Sequence, residues 1–65
     1  MFSVRLKELR EENKLSQAKL AQIIGYTQSH IAKWEYGTHE PKASAIIKLA
    51  KHFGVSTDYL LGMEE

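Results

Sequence analysis

The chain has 65 residues, which fits one domain near the lower size limit for a core that folds without cross-links. It has no cysteine, which excludes disulfides and thiolate zinc sites, so its stability must come from apolar packing and well-capped helices. The net charge of +1 is far from the positive excess of many nucleic-acid-binding domains, so any such binding must depend on how the charges are arranged.

The first predicted helix covers about Val4 to Asn13. Apolar residues recur at helical spacing along one side of it, at Phe2, Leu6 and Leu9, and this stripe ends at the polar residue Asn13. Segment 5–19 mixes basic and acidic side chains, which is typical of a solvated helix face.

The second predicted helix begins at the N-cap Ser16, whose hydroxyl can accept a hydrogen bond from a free backbone N–H. Leu15 before the cap and Leu20 after it form a hydrophobic staple. Lys19 stands where a full capping box would need Glu or Gln, so we expect no such box. Gly25 suits the left-handed residue that ends a helix.

The third predicted helix repeats this arrangement. Thr27 is its cap, Tyr26 and Ile31 form its staple, and Gly37 ends it. Only two residues separate the end of the second helix from Thr27, so the two helices must cross steeply. That spacing predicts a helix-turn-helix, and it also fits a plain helical hairpin within a bundle.

The fourth predicted helix follows Pro41 and ends at about Phe53, before Gly54. Its inward face is predicted to hold Ala43, Ile46, Leu49, Ala50 and Phe53. Ser56 caps a short fifth helix, with Val55 and Leu60 as a third staple. The sequence therefore predicts an all-α domain of five helices spanning residues 1–65.

The third helix has two chemically different faces. At about 100° per residue, its inner side holds Ile31, Trp34 and Glu35, and its outer side holds Gln28, Ser29, Ala32, Lys33 and Tyr36. Glutamine can pair with adenine N6 and N7, lysine can donate to guanine O6 and N7, and serine can do either. The same side chains are equally ordinary on a solvated helix, so composition alone leaves both interpretations open.

Four segments in this order resemble the Cro and phage-repressor type of helix-turn-helix domain, the xenobiotic-response-element-like regulators. They are RLKELREENKLSQAKLAQIIG, YTQSHIAKWEYG, the single Pro41 and IIKLAKHFGVSTDYLLG, and they cover nearly the whole chain. The resemblance implies a compact five-helix fold with the helix-turn-helix at residues 17–36. It also implies that the third helix is the recognition helix and enters the major groove.

Taken with the two faces of the helix, the resemblance implies which side chains contact DNA. The expected base-reading residues are Gln28, Ser29, Ala32 and Lys33. The expected backbone-positioning residues are Ser16, Gln17, Thr27, Tyr36 and Lys42. The resemblance also implies that Arg10 and Glu35 form a structural ion pair between the first and third helices. Glu40 departs from the more basic loop of many relatives, so we expect a single domain to bind modestly.

These features together predict a DNA-binding transcriptional repressor that acts as a homodimer on a pseudo-palindromic operator, with half-sites roughly 34 Å apart. The alternative is a protein-interaction module, such as the antitoxin of a toxin–antitoxin pair, because a fold does not determine function. The early end of the chain after Leu61 leads us to expect a further C-terminal domain in the natural protein.

No enzymatic activity is expected. The three histidines lie too far apart in sequence for a helical metal site, and no strained turn or glycine-rich loop frames a nucleophile or a phosphate. We therefore expect no catalytic residue, no metal and no cofactor. No apolar run approaches the ~20 residues of a membrane span, and no signal-peptide pattern opens the chain. We expect a cytoplasmic protein, bacterial or phage-encoded.

Overall fold

The computed structural model of the protein describes residues 1–63, which form five α-helices and no strand. The helices are α1 (Phe2–Glu12), α2 (Gln17–Ile24), α3 (Gln28–Tyr36), α4 (Ala43–Phe53) and α5 (Thr57–Leu60). The predicted all-α, five-helix architecture is confirmed. Within these residues no helix is both long and apolar enough to cross a bilayer.

The start of α1 differs from the prediction. The helix begins at Phe2 rather than Val4, and the Met1 carbonyl accepts a hydrogen bond from the Arg5 backbone N–H at 3.0 Å. No side chain caps this end, so the sequence offers no polar residue to mark it. Half-buried Phe2 packs against the core, which extends the helix beyond its predicted start.

The predicted N-caps are confirmed. Each cap oxygen accepts a hydrogen bond from the backbone N–H three residues later, at 3.0 Å for Ser16, 3.3 Å for Thr27 and 2.9 Å for Ser56. The apolar residue before each cap is half-buried against the core, as a staple requires; these residues are Leu15, Tyr26 and Val55. Local sequence signals therefore fix the starts of α2, α3 and α5.

One continuous core lies between the helices and contains Leu6, Leu9, Leu20, Ala21, Ile24, Ile31, Trp34, Ala45, Leu49, Ala50 and Leu60. The predicted inner face of α4 is wrong at one position. Ala43 is exposed, whereas Ala45, which was not predicted, is fully buried. Ala43 is the first residue of α4 and lies beyond the edge of the core, while Ala45 and Leu49 share one stripe one turn apart.

The turn between α2 and α3 sets the position of α3. Gly25 adopts a φ of 79°, which a glycine reaches without the strain that a Cβ would cause. Ala21, 2% exposed, packs at the crossing of the two helices, where a larger side chain would push them apart. Because α3 contacts α1 as well as α2, it is fixed on its inner side while its outer side faces solvent.

Candidate nucleic-acid interface

The outer face of α3 carries polar side chains on a rigid base. Gln28, Ser29 and Lys33 are exposed, and Tyr36 is the most open of the large side chains at 88% exposure. Ala32 is half-buried in the middle of this face. The inward residues Ile31 and Trp34 are buried. The structure thus brings the four predicted base-reading residues onto one surface.

Arg10 and Glu35 join α1 to α3 through two parallel hydrogen bonds. Arg10 Nε donates to Glu35 Oε2 at 2.7 Å, and Arg10 Nη2 donates to Glu35 Oε1 at 3.1 Å. Both side chains are largely shielded from solvent, with 12% and 5% exposure. Arg10 Nη1 also donates to the Leu15 carbonyl at 2.8 Å, so the guanidinium fixes the α1–α2 turn as well.

The electrostatics of this pair favour a charged guanidinium. The hydrogen bond to Glu35 raises the pKa of Arg10 above its ordinary value; desolvation opposes this shift, and attraction to Glu35 and Glu11 adds to it. Bidentate geometry gives such a pair directional strength that one contact lacks. The pair therefore orients α3 as well as holding it.

Gln17 extends this network to the outer face. Gln17 Nε2 donates to Glu35 Oε1 at 3.1 Å, and Gln28 Nε2 donates to Gln17 Oε1 at 3.4 Å. A continuous polar path thus runs from Arg10 through Glu35 and Gln17 to Gln28. The second N–H and the carbonyl oxygen of the Gln28 amide have no partner among residues 1–63. A glutamine that pairs with adenine uses these two groups, since the N–H donates to N7 and the oxygen accepts from N6.

An open groove of about 570 Å³ runs along one side of α3 toward α1. Lys7 and Glu11 of α1 line it together with Ala32, Lys33 and Tyr36 of α3. Small Ala32 leaves the groove open in the middle. Lys7 and Lys33 place one positive charge on each wall, and Glu11 places a negative charge on the α1 wall.

The predicted backbone-positioning residues lie around the edges of that face. Ser16 and Thr27 are exposed caps at the N-termini of α2 and α3, where free N–H groups and the helix dipole favour anions. Tyr36 ends α3. Lys42 is the exposed N-cap residue of α4, and it shares a second depression of about 300 Å³ with Lys33.

His30 has a structural role that the sequence did not predict. The Thr27 backbone N–H donates to His30 Nδ1 at 3.4 Å, and Thr27 Oγ1 lies 2.8 Å from the same nitrogen. This completes a capping box at the start of α3 with histidine in place of the usual Glu or Gln. The ring also meets Tyr26 edge-on at 5.3 Å between centroids. The available signal was its position, three residues after the cap.

Residues 1–63 contain no cluster of three histidine or acidic side chains that could hold a metal ion. His30 and His39 line the second depression, and Glu40 is the one carboxylate among the residues that line it. These three side chains do not form a metal-binding cluster.

Comparison with known proteins places this geometry in a family. The helix-turn-helix family model matches residues 6–60. YonR, an uncharacterized HTH-type transcriptional regulator from the SPbeta prophage of Bacillus subtilis strain 168, is 41% identical over 61 residues, covering 94% of this chain and 56% of that protein. RstR, the cryptic phage CTXphi transcriptional repressor of Vibrio cholerae, is 37% identical over 65 residues, covering 100% of this chain and 59% of RstR.

The fold is also similar to that of a solved repressor complex. The P22 c2 repressor bound to a synthetic operator superposes with a TM-score of 0.92 at 30% identity, covering 98% of this chain and 97% of that one. The chain spans about half the length of the curated relatives it matches.

Proposed function

Because the chain belongs to the Cro and phage-repressor type of helix-turn-helix family, we propose that it is a sequence-specific DNA-binding domain of a transcriptional repressor. In this proposal α3 enters the major groove of a pseudo-palindromic operator. Two copies bind as a dimer, with half-sites roughly 34 Å apart. Such a protein acts on the chromosome, in the cytoplasm of a bacterial cell, and no catalytic step is assigned to it.

The observation that carries the proposal is the polar path ending at Gln28. A side chain that reads a base must be held in place before DNA arrives, since ordering it on binding would cost free energy. The Gln28 amide is held by Gln17, which is held in turn by the buried Arg10–Glu35 pair. A glutamine that only faces solvent does not require hydrogen bonds from other side chains to fix its amide.

The base-reading roles follow from position and chemistry. Gln28 and Ser29 lie in the first turn of α3, which enters the groove most deeply in such motifs. Lys33 lies on the same face and can donate to guanine. Ala32 allows close approach and offers a methyl group for contact with a thymine methyl.

The backbone-positioning roles fall to the surrounding residues. Ser16 and Thr27 present helix N-termini, Gln17 lies beside them, and Tyr36 and Lys42 lie toward the far end of α3. Contacts of this kind set register and affinity without reading sequence. YonR is named as a transcriptional regulator and RstR as a repressor, which gives no support to the antitoxin alternative.

Selection of bound duplexes from a random DNA pool tests the proposal. We expect an enriched motif with two-fold symmetry, and an affinity for the enriched duplex that falls as salt is raised, because phosphate contacts release counterions. A pool that stays random after repeated rounds, with binding insensitive to salt, would overturn it. Sedimentation of the protein with the enriched duplex tests the two-copy stoichiometry.

A further inference from the structure

Thr27 directs both of its donors at one nitrogen atom. Its backbone N–H reaches His30 Nδ1 at 3.4 Å, and its hydroxyl oxygen lies 2.8 Å from Nδ1. A neutral imidazole with an unprotonated Nδ1 accepts from the N–H and from the O–H. In that state Thr27 has no donor left for a phosphate, although the proposed function gives it a phosphate to hold.

Protonation at Nδ1 reverses these hydrogen bonds. The imidazolium is a donor at both nitrogens and can donate Nδ1–H to Thr27 Oγ1. The hydroxyl hydrogen of Thr27 is then free to turn outward, and its backbone N–H loses its acceptor. One proton thus frees the hydroxyl donor of Thr27 at the start of α3 and adds a positive charge beside it, and both changes favour an anion.

We propose that His30 is a pH-dependent positioning residue whose protonation releases the Thr27 hydroxyl to a DNA phosphate. DNA binding then takes up a proton at this side chain. The inference rests on the proposed function, which assigns Thr27 to the DNA backbone. It adds a residue and a form of regulation that the helix-turn-helix itself does not require.

The surroundings of His30 suit a phosphate. The depression of about 300 Å³ beside it is also lined by Lys33, His39, Glu40 and Lys42. The ring also contacts Tyr26, which lines the same depression and whose own ring has Lys48 Nζ at 5.9 Å from its centroid. Two lysines and one carboxylate line the depression, so protonation of His30 adds to a positive balance of charge beside Thr27.

The affinity for DNA, measured as a function of pH, tests the inference. The probe is a labelled duplex carrying the sequence enriched by selection, at constant ionic strength between about pH 5.5 and 8, where histidines commonly titrate. We expect binding to tighten as pH falls, by up to about tenfold per pH unit for each bound copy, which is the limit for uptake of one proton. His30→Gln keeps an acceptor for the Thr27 N–H but cannot titrate, so its affinity should vary far less with pH at unchanged melting temperature.

His52→Gln is the matched control, because His52 lies on α4 against Phe53 and does not line the depression beside His30. It should retain the wild-type pH profile. An unchanged profile in His30→Gln, or a profile abolished by His39→Gln alone, would overturn the inference. Binding that does not vary with pH in the wild type would overturn it while leaving the proposed function intact, whereas absence of DNA binding at every pH would overturn both.

A second measurement needs no DNA. In the free protein the amide proton of Thr27 should shift on the same pH titration curve as the imidazole protons of His30, followed by NMR. In His30→Gln that shift of the Thr27 amide should disappear. A Thr27 amide resonance that does not respond while the His30 ring titrates would show that the two groups are uncoupled, which contradicts the inference.

Discussion

Gln28 Nε2 lies 3.4 Å from Gln17 Oε1, so the first residue of the recognition helix is braced by the first residue of the helix before it. Gln17 is itself held by Glu35, which Arg10 holds in a bidentate pair. The tight turn between α2 and α3 brings the two glutamines together. The side chain to which we assign base reading is therefore held in position from the core.

Replacing Gln28 by Ala removes the amide that we assign to base reading. The affinity for the selected duplex should fall by about 1–3 kcal/mol, and the preference at one base pair should be relaxed. The measurement is a titration against duplexes that carry each base pair in turn at that position. Equal weakening on every sequence would contradict the assignment and make Gln28 a phosphate contact.

Replacing Lys42 by Gln should have the opposite signature. Affinity should fall to a similar degree on selected and unrelated DNA, and the slope of log K against log salt should become shallower by about 0.9 for each bound copy. Lys51→Gln is the control, since Lys51 is exposed on α4 but lines a different depression, with Gln22 and His52. A loss confined to the selected duplex in Lys42→Gln would contradict a phosphate role.

The Arg10–Glu35 pair should show strong energetic coupling. Removing one partner leaves the charge of the other shielded from solvent and unpaired. Arg10→Met or Glu35→Gln should therefore lower the free energy of unfolding by roughly 3 kcal/mol. The double variant should lose less than the sum of the two single losses. Urea denaturation of the four proteins gives the coupling energy. Purely additive losses would exclude a structural ion pair.

The same pair has a defined dependence on pH. In the folded state the pKa of Arg10 is raised above its ordinary value, mainly by its hydrogen bond to Glu35. A raised pKa stabilises the fold fully below the unfolded value and loses this effect only as pH rises through the folded value. The Arg10 guanidinium therefore stays charged throughout the pH range of the binding assays. A change of DNA affinity with pH must come from another group.

Lys14 offers a stabilising substitution. It adopts a φ of 56° at the end of α1, where the Leu15 N–H closes onto the Arg10 carbonyl at 3.1 Å. A side chain in this left-handed region is strained, so Lys14→Gly should raise the free energy of unfolding by about 0.5–1 kcal/mol. Asn13→Gly is the control at a φ of −90°, and it should not stabilise. Loss of stability in Lys14→Gly would contradict this explanation.

Caps, staples and the two faces of α3 could be predicted because each depends on residues within one or two turns of each other. The start of α1 could not, because it has no capping side chain and depends on Phe2 packing against the core. The prediction that Ala43 lies on the inner face of α4, where Ala45 lies instead, was wrong for a related reason. Both are small, and only the edge of the folded core decides which one is buried.

The polar network was only partly accessible from the sequence. The Arg10–Glu35 pairing came from the family pattern, because 25 residues separate the partners and no local rule connects them. The hydrogen bond between Gln17 and Glu35 depends on how α1, α2 and α3 are placed together. The His30 box is local, but an imidazole acceptor does not match the Glu or Gln that the capping pattern specifies.

Discrimination between sequences tests the central claim most directly. The affinity of the protein for the selected duplex is compared with its affinity for a scrambled duplex of equal length and base composition, over a range of salt concentrations. If α3 reads base edges, the selected duplex should bind about 10³-fold tighter or more, and it should stay preferred while both affinities fall with salt. A ratio close to one at every salt concentration would contradict the claim.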